Sequence, residues 1–215
     1  MGLMQQTKMM EGFPIPVWEW SRQLAEITHD YPHRVEDFAK SYSRNQFIAK
    51  TWMLEVLKVY ADLDRTTKWW IMGSWYGSIT VPMIRNTFKP TSKIHLLDFD
   101  KEALDIAKKL HGDYAISTHH IDVNWEMKRL SKLKADVWIN TSCEHMYPLT
   151  EEFNPNGLCV FQSTNFAKDP SHINCCKDLD EFIEQCNFKE ILYSGEKPFH
   201  DWDDIHKRFM VIGYK

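Results

Sequence analysis

The chain has 215 residues, which is the length of one domain or of one domain with a modest extension. Its formal net charge is -4, so the chain lacks the broad positive field that a protein usually needs to bind a polyphosphate backbone without sequence specificity. A hydrophobic content of 43% with 26% charged residues is typical of a globular protein and excludes a disordered or fibrous chain. No apolar run approaches 18 residues and no signal peptide is recognised, so we expect a soluble cytoplasmic protein without a membrane partner.

The N-terminal residues 1–64 are predicted to form a helical cap or lid ahead of the first strand. Residues 13–16 (FPIP) form an extended lead-in that proline stiffens. Apolar residues recur at helical spacing in 17–29, and again in 44–62, which predicts two amphipathic helices. Pro32 ends the first of these helices or begins the next one. Trp18, Trp20 and the helices around them either close over the crevice as a lid or form a helix pair that packs on the sheet.

From residue 65 to residue 215, short apolar strands alternate with helical stretches. The predicted strands are 68–73, 93–98, 114–119, 135–141, 157–164, 188–193 and 207–214, with helices from about Gly77 and over 102–111 and 179–186. Alternation of strand and helix requires parallel pairing, and therefore an open α/β sheet. The last two strands have no helix between them, which favours an antiparallel hairpin at one edge.

Residues that follow the first three strands are candidates for a nucleoside site, because ligands of such sheets bind beyond the carboxyl ends of the strands. Gly73-Ser74-Trp75-Tyr76-Gly77-Ser78 follows the first strand, and Asp98 follows the second at 21 residues beyond Gly77. A carboxylate at this distance suits the two hydroxyl groups of a ribose. Asp122 follows the third strand, where it suits the exocyclic amine of an adenine. Each residue alone also fits an ordinary turn or helix cap; together and in this order they favour a nucleoside cofactor.

The segment 68–109 resembles the opening of class I S-adenosylmethionine-dependent methyltransferases. Residues 98–107 (DFDKEALDIA) are similar to the acidic ribose-binding turn of that family and the helix after it. Residues 136–146 (DVWINTSCEHM) resemble its fourth-strand motif, and residues 155–160 (PNGLCV) resemble the turn before its fifth strand. The resemblance covers 65–215, including the closing hairpin. The phrases GSWYGS and NTSCEHM also resemble small methyltransferases encoded by tailed phages, which would act in the host cytoplasm.

This resemblance implies a Rossmann-like open seven-stranded sheet, mostly parallel with an antiparallel C-terminal strand, plus the N-terminal helical cap. It implies S-adenosylmethionine as the cofactor. The residues implied to bind it are Gly73, Ser74, Trp75 and Gly77 at the methionine part, Asp98 at the ribose, Phe99 beside the adenine, Asp122 and Val123 at the adenine edge, and Asn140 or Thr141 near the sulfonium. Two positions depart from the family pattern. Ile71 replaces an acidic residue, and Trp75 replaces a glycine, so Trp75 either walls the pocket or remodels its methionine end.

Three residues are candidates for a catalytic role, namely Glu144, His145 and His172. A sulfonium is already an activated methyl donor, so positioning the acceptor in line supplies most of the acceleration. A general base is needed only if the acceptor must lose a proton. His145 lies on the loop after the fourth strand, and its alternative role is to help cap the next helix. His172 lies on the loop after the fifth strand, where an ordinary hydrogen-bonded turn is the alternative.

The acceptor is predicted to be a small molecule. The family's amine methyltransferases for nucleobases carry an Asn/Asp-Pro-Pro-aromatic motif where this chain has NTSC at 140–143. Methylation of cytosine at carbon 5 needs the nucleophile of a Pro-Cys dipeptide, and the chain contains none. The basic residues Lys128, Arg129, Lys132 and Lys134 are interpreted as a solvated helix face. A nucleic-acid or protein acceptor stays open as an alternative, and the oligomeric state is not predicted.

Other classes of protein also remain open. A nicotinamide-dependent oxidoreductase would need G-x-G-x-x-G, but Trp75 and Ser78 occupy its second and third glycine positions. A non-catalytic nucleotide-binding scaffold is favoured only by the presence of Trp75 in place of a glycine in the loop after the first strand. An enzyme that consumes the cofactor without methyl transfer is a third alternative. No metal site is predicted, because the five cysteines between Cys143 and Cys186 contain no C-x-x-C pair, and we expect them to be reduced thiols.

Overall fold

The computed structural model gives the positions of most of the chain. The described residues are 15–62, 64–112, 115–149, 152–201 and 204–215. Phe13 and Pro14 of the predicted lead-in, and Tyr114 at the predicted start of the third strand, lie outside these ranges.

The elements follow the predicted order of helices, then alternating strands and helices. The strands are β1 (Lys68–Met72), β2 (Lys93–Asp98), β3 (Ile116–His120), β4 (Val137–Asn140), β5 (Leu158–Thr164), β6 (Glu190–Asp201) and β7 (Asp204–Tyr214). The α-helices are α1 (Val17–Asp30), α2 (Val35–Lys40), α3 (Arg44–Tyr60), α4 (Thr80–Thr87), α5 (Lys101–Leu110), α6 (Val123–Leu130) and α7 (Leu179–Cys186). Short 3-10 helices lie at Pro32–Arg34 and Cys143–His145. Pro32 therefore begins a new helical turn, because its fixed φ suits a first helical position.

All seven strands form one sheet in the order β3-β2-β1-β4-β5-β7-β6. The first five pair in parallel, whereas β7 pairs antiparallel with both β5 and β6. The predicted mostly parallel, open α/β sheet with an antiparallel C-terminal end is confirmed. Strand order reverses between β1 and β4, whose last residues Met72 and Asn140 lie side by side. This switch point is where a ligand binds in open α/β sheets.

The C-terminal hairpin is much longer than the sequence pattern predicts. It continues beyond the predicted end at Tyr193, and Asp201 of β6 pairs with Asp204 of β7. Gly195, Pro198 and several charged residues interrupt the apolar pattern of this extension, which is why the sequence does not show it. Strand β6 lies at the edge of the sheet, where a proline is tolerated because its missing N–H breaks no ladder hydrogen bond.

Helix α3 shares the main hydrophobic core of the sheet. Its buried residues Trp52, Met53 and Leu57 belong to the same cluster as Trp69 and Ile71 of β1. Trp52 also donates a hydrogen bond from Nε1 to the Tyr193 hydroxyl over 3.2 Å. This part of the N-terminal segment therefore packs on the sheet.

Helices α1 and α2 pack instead on α5 and on the loop after β1. The cluster that joins them contains Ile27, Phe38, Tyr76, Ala103, Ile106 and Leu110. Arg34 makes ion pairs of 2.6 Å with both Asp100 and Glu102, which fixes α2 at the start of α5. Whether residues 1–64 act as a lid stays a prediction.

The five cysteines all carry free thiols, as expected from their number and spacing. Burial raises the pKa of the Cys159 and Cys176 thiols to about 12, so these two groups are protonated and unreactive at neutral pH. Within the described residues, no helix is both long enough and apolar enough to cross a membrane.

Candidate cofactor and acceptor site

The loop after β1 reverses direction through backbone conformations that favour glycine. Gly73 has φ 57° and Gly77 has φ 64°, as a tight turn in this position requires. Trp75 also adopts a positive φ, of 51°, although a side chain is strained there by roughly 1–2 kcal/mol. Trp75 therefore has the left-handed backbone conformation that glycine usually adopts, at the position where the methyltransferases that this sequence resembles have a glycine.

The Trp75 side chain is held by the N-terminal helices. Its indole Nε1 donates to Asp37 Oδ2 over 3.0 Å, and its ring stacks on Tyr76 with 5.3 Å between centroids. The Tyr76 hydroxyl donates to the same Asp37 oxygen over 2.5 Å, and Arg34 Nη1 lies 3.4 Å from it. These contacts offset the strain at Trp75 and connect the loop to α2.

Asp98, the last residue of β2, is buried against this loop. Its Oδ2 accepts from the backbone N–H of Trp75 over 2.7 Å, and its Oδ1 accepts from that of Asp100 over 2.9 Å. Burial raises the pKa of the Asp98 carboxyl above its ordinary value, while the two N–H groups oppose this rise. Each oxygen retains a lone pair that can accept a further hydrogen bond.

The residues predicted at the adenine occupy the ends of β2 and β3. Phe99 is 74% exposed, directly after Asp98. Asp122 caps α6, since its Oδ1 accepts from the backbone N–H of Asn124 over 2.9 Å, and Val123 is buried as the first residue of that helix. Asp122 thus has the capping role that the sequence left open, and its adenine role stays a prediction. Trp125, 82% exposed near the start of α6, was missed by the sequence analysis.

The predicted floor of the site lies at the end of β4, beside the loop after β1. Asn140 is fully buried, and its Oδ1 accepts from the backbone N–H of Ser142 over 2.9 Å. Thr141 is buried next to it, and its carbonyl accepts a hydrogen bond from Arg208 Nη2. The Ser142 hydroxyl donates to the Gly73 carbonyl over 3.4 Å, which joins the two loops.

Glu144, His145 and His172 come together although the two histidines are 27 positions apart in the chain. The backbone carbonyl of Glu144 accepts from the N–H groups of Ile173 and Asn174 over 2.9 and 3.0 Å, which brings the loop after β5 to the loop after β4. The imidazole rings of His145 and His172 then meet edge to face, with 4.6 Å between centroids. The three predicted catalytic residues therefore form one cluster.

Two further charged residues lie at this cluster and were missed by the sequence analysis. Arg208 of β7 is buried, and its Nη1 donates to Glu144 Oε1 over 2.6 Å. Lys50 of α3 is partly buried, and desolvation together with the charge of Arg208 lowers its pKa to about 7 against the opposing effect of Glu144. Arg208 could have been noticed in the sequence, because it is a charged residue within an apolar strand. Lys50 could not, because nothing in the sequence around it sets it apart from the other lysines of the chain.

No protein-family model matches the sequence, and no curated protein matches it. Solved structures do match by fold. The CurJ carbon methyltransferase superposes with a TM-score of 0.61 at 10% identity over 88% of this chain, and the match spans 61% of that protein. The N-methyltransferase NodS from Bradyrhizobium japonicum has a TM-score of 0.59 at 12% identity, covering 81% of this chain and 99% of its own.

A third match is a SAM-dependent methyltransferase from Leishmania major, with a TM-score of 0.58 at 11% identity over 90% of this chain and 82% of its own. At such identities the similarity establishes the fold alone. The chain has the fold of class I S-adenosylmethionine-dependent methyltransferases, which confirms the resemblance identified in the sequence at the level of fold.

Proposed function

We propose that this protein is an S-adenosylmethionine-dependent methyltransferase that transfers a methyl group directly, in line, to a small-molecule acceptor. One observation carries the proposal. The buried carboxylate of Asp98 is fixed at the switch-point end of the sheet by the backbone of the left-handed loop after β1. A buried carboxyl group destabilises the folded protein unless it is well paired, and a ligand that donates to the remaining lone pairs of Asp98 would complete its pairing.

The residues at the loop fit the proposed cofactor. The lone pairs left on Asp98 suit ribose hydroxyl groups, and the Ser74 hydroxyl is buried without a hydrogen-bond partner among the described residues. Phe99, directly after β2, and Trp125, near the start of α6, expose aromatic rings, and we place the adenine between them. When bound, S-adenosylmethionine supplies an activated methyl group on its sulfonium. The chain has to hold both reactants in line, an effect worth up to about 7–11 kcal/mol.

We propose that the acceptor binds beside Glu144, His145 and His172, which follow the neighbouring strands β4 and β5. Support for a small molecule comes from the charge pattern. The exposed Lys128 pairs with Glu152 and the exposed Arg129 pairs with Glu126, so the basic residues of α6 are partly neutralised by their neighbours. A general base among the three candidates stays a prediction. We also propose that residues 1–64 cover this site as a cap and that the protein acts in the cytoplasm.

Calorimetric titration of the purified protein tests the cofactor. We expect S-adenosylmethionine and S-adenosylhomocysteine to bind with micromolar affinity and NADH not to bind. Binding of NADH alone would overturn the proposal in favour of an oxidoreductase. A folded sample that binds neither sulfur nucleoside, even with candidate acceptors present, would identify a scaffold. Conversion of the cofactor without a methylated product, in a screen of small metabolites, would identify a cofactor-consuming enzyme.

A further inference from the structure

The side chains of Glu144, His145 and His172 have the composition and arrangement of an open metal site. One potential ligand atom from each of them lies within 4.8 Å of the other two. Metal bonds of about 2.0–2.2 Å place neighbouring ligand atoms roughly 3–3.5 Å apart, so a shift of up to about 2 Å closes the cluster around an ion. His145 is 39% exposed, and side-chain rotation from the loop can supply that shift.

The hydrogen bonds of the two imidazoles prepare their outer nitrogens for coordination. His145 Nδ1 lies 3.1 Å from the Ser171 carbonyl, and His172 Nδ1 lies 2.5 Å from the Phe166 carbonyl. A carbonyl can only accept, so in the neutral form of each ring the proton is on Nδ1 and the lone pair is on Nε2. A bond from the second ring nitrogen to a carbonyl is the usual support of a metal-binding histidine.

The carboxylate of Glu144 is held in a similar way. Arg208 Nη1 binds its Oε1 over 2.6 Å and thereby fixes the orientation of the group. Oε1 also lies 3.9 Å from His145 Nε2, and the other oxygen, Oε2, is buried with no hydrogen-bond partner among the described residues. A buried carboxylate oxygen without a partner is unfavourable, and a cation beside it removes that penalty.

We propose that Glu144, His145 and His172 bind one divalent transition-metal ion, with Zn²⁺ as the reference ion. Two imidazoles and one carboxylate are a ligand set for such metals, and three protein ligands leave coordination positions open for water or for an oxygen of the acceptor. The ion uses the same Nε2 lone pairs that a general base would need. Metal binding and a basic role for these histidines therefore exclude each other in the loaded protein.

Titration of the full chain with Zn²⁺ or Co²⁺, without cofactor, tests the site by calorimetry and by the visible spectrum of Co²⁺. We expect one ion per chain. His145→Gln and His172→Gln should each weaken Zn²⁺ binding at least tenfold, since loss of a hydrogen bond that merely supports a metal ligand already weakens binding by about 10–100-fold. Matched controls are His29→Gln, an exposed histidine of α1, and Cys175→Ser, a partly buried thiol on the same loop as His172.

Both controls should bind as the unmodified protein does, and the Co²⁺ spectrum should lack a sulfur charge-transfer band. Absence of stoichiometric binding would overturn the proposal, and so would binding that both histidine variants retain while their thermal melts show a folded protein. Loss of binding in Cys175→Ser would assign a thiol site instead. The assay contains no S-adenosylmethionine, so a failure of the proposed methyltransferase function leaves this result unaffected, and the reverse also holds.

Discussion

The backbone N–H of Trp75 donates to the carboxylate of Asp98 over 2.7 Å, which ties the loop after β1 to the end of β2. The bond forms because Trp75 adopts a left-handed conformation, with φ 51°. The same residue binds Asp37 of α2 through its indole. Trp75 thus connects the proposed ribose-binding carboxylate to the N-terminal helices, and this connection explains how a tryptophan can replace a glycine at this position.

Replacement of Asp98 by Asn should weaken S-adenosylmethionine binding by about 10–100-fold, because hydrogen bonds to a charged group contribute about 1.5–3 kcal/mol. Asp98→Ala should remove measurable binding and leave the fold intact by circular dichroism. The control is Asp105→Asn, a partly exposed carboxylate on α5 that pairs with Lys101. Calorimetric titration measures the affinities. Unchanged affinity in the Asp98 variants would show that this carboxylate does not hold the ribose.

Substitutions at Trp75 should reveal the strain of its backbone. Trp75→Gly and Trp75→Ala both remove the indole, but only glycine accepts a positive φ without strain, so the Gly variant should be more stable by about 1 kcal/mol. Glu55 is exposed within α3, and there the order should reverse, with Ala about 1 kcal/mol more stable than Gly. Urea unfolding gives the four free energies. An Ala variant at position 75 that matches or exceeds the Gly variant would contradict the left-handed conformation.

The stability of the protein should fall between pH 6.5 and pH 4 because of His111. Burial lowers the pKa of this imidazole to about 4, although its hydrogen bond to the Tyr76 carbonyl acts upward. In the unfolded chain the group takes up its proton near pH 6.5. The unfolded state therefore binds more protons within this window, and unfolding becomes more favourable as the pH falls, by about 2 kcal/mol at pH 5.

Denaturant unfolding at pH 7, 6 and 5 measures this dependence, with His111→Gln as the comparison. We expect the variant to be less stable at pH 7. Its free energy of unfolding should change less over the same pH range, because position 111 no longer carries an imidazole that titrates. Equal pH dependence in the two proteins would mean that His111 is not held neutral by its buried position.

Removal of Arg208 should destabilise the protein strongly. Arg208→Met leaves the buried carboxylate of Glu144 without its ion pair, which costs about 3–5 kcal/mol. In Arg208→Met/Glu144→Gln the unpaired charge is gone, so the double variant should be more stable than Arg208→Met alone. Lys101→Met at the exposed pair with Asp105 should change the free energy of unfolding by less than about 1 kcal/mol. Equal small effects at Arg208 and Lys101 would show that the Glu144–Arg208 pair is solvated.

Much of the fold is visible in the sequence because four of the parallel strands, β1, β2, β4 and β5, are largely buried on both faces. The strand predicted at 93–98 matches β2 to the residue, and the helix predicted at 179–186 matches α7. The continuous apolar runs of such strands stand out against the helices between them. The extended hairpin did not stand out, since Gly195 and Pro198 lie on an edge strand that needs no apolar pattern.

The sequence by itself determined the open α/β sheet, the turn glycines at 73 and 77, and the position of Asp98, because all three depend on local spacing along the chain. Only the tertiary structure decided which distant side chains meet. It brought Arg208 of the last strand to Glu144 and set His172 against His145. These contacts follow from the order of strands in the sheet and from hydrogen bonds between loops, and no local pattern of residues specifies either of them.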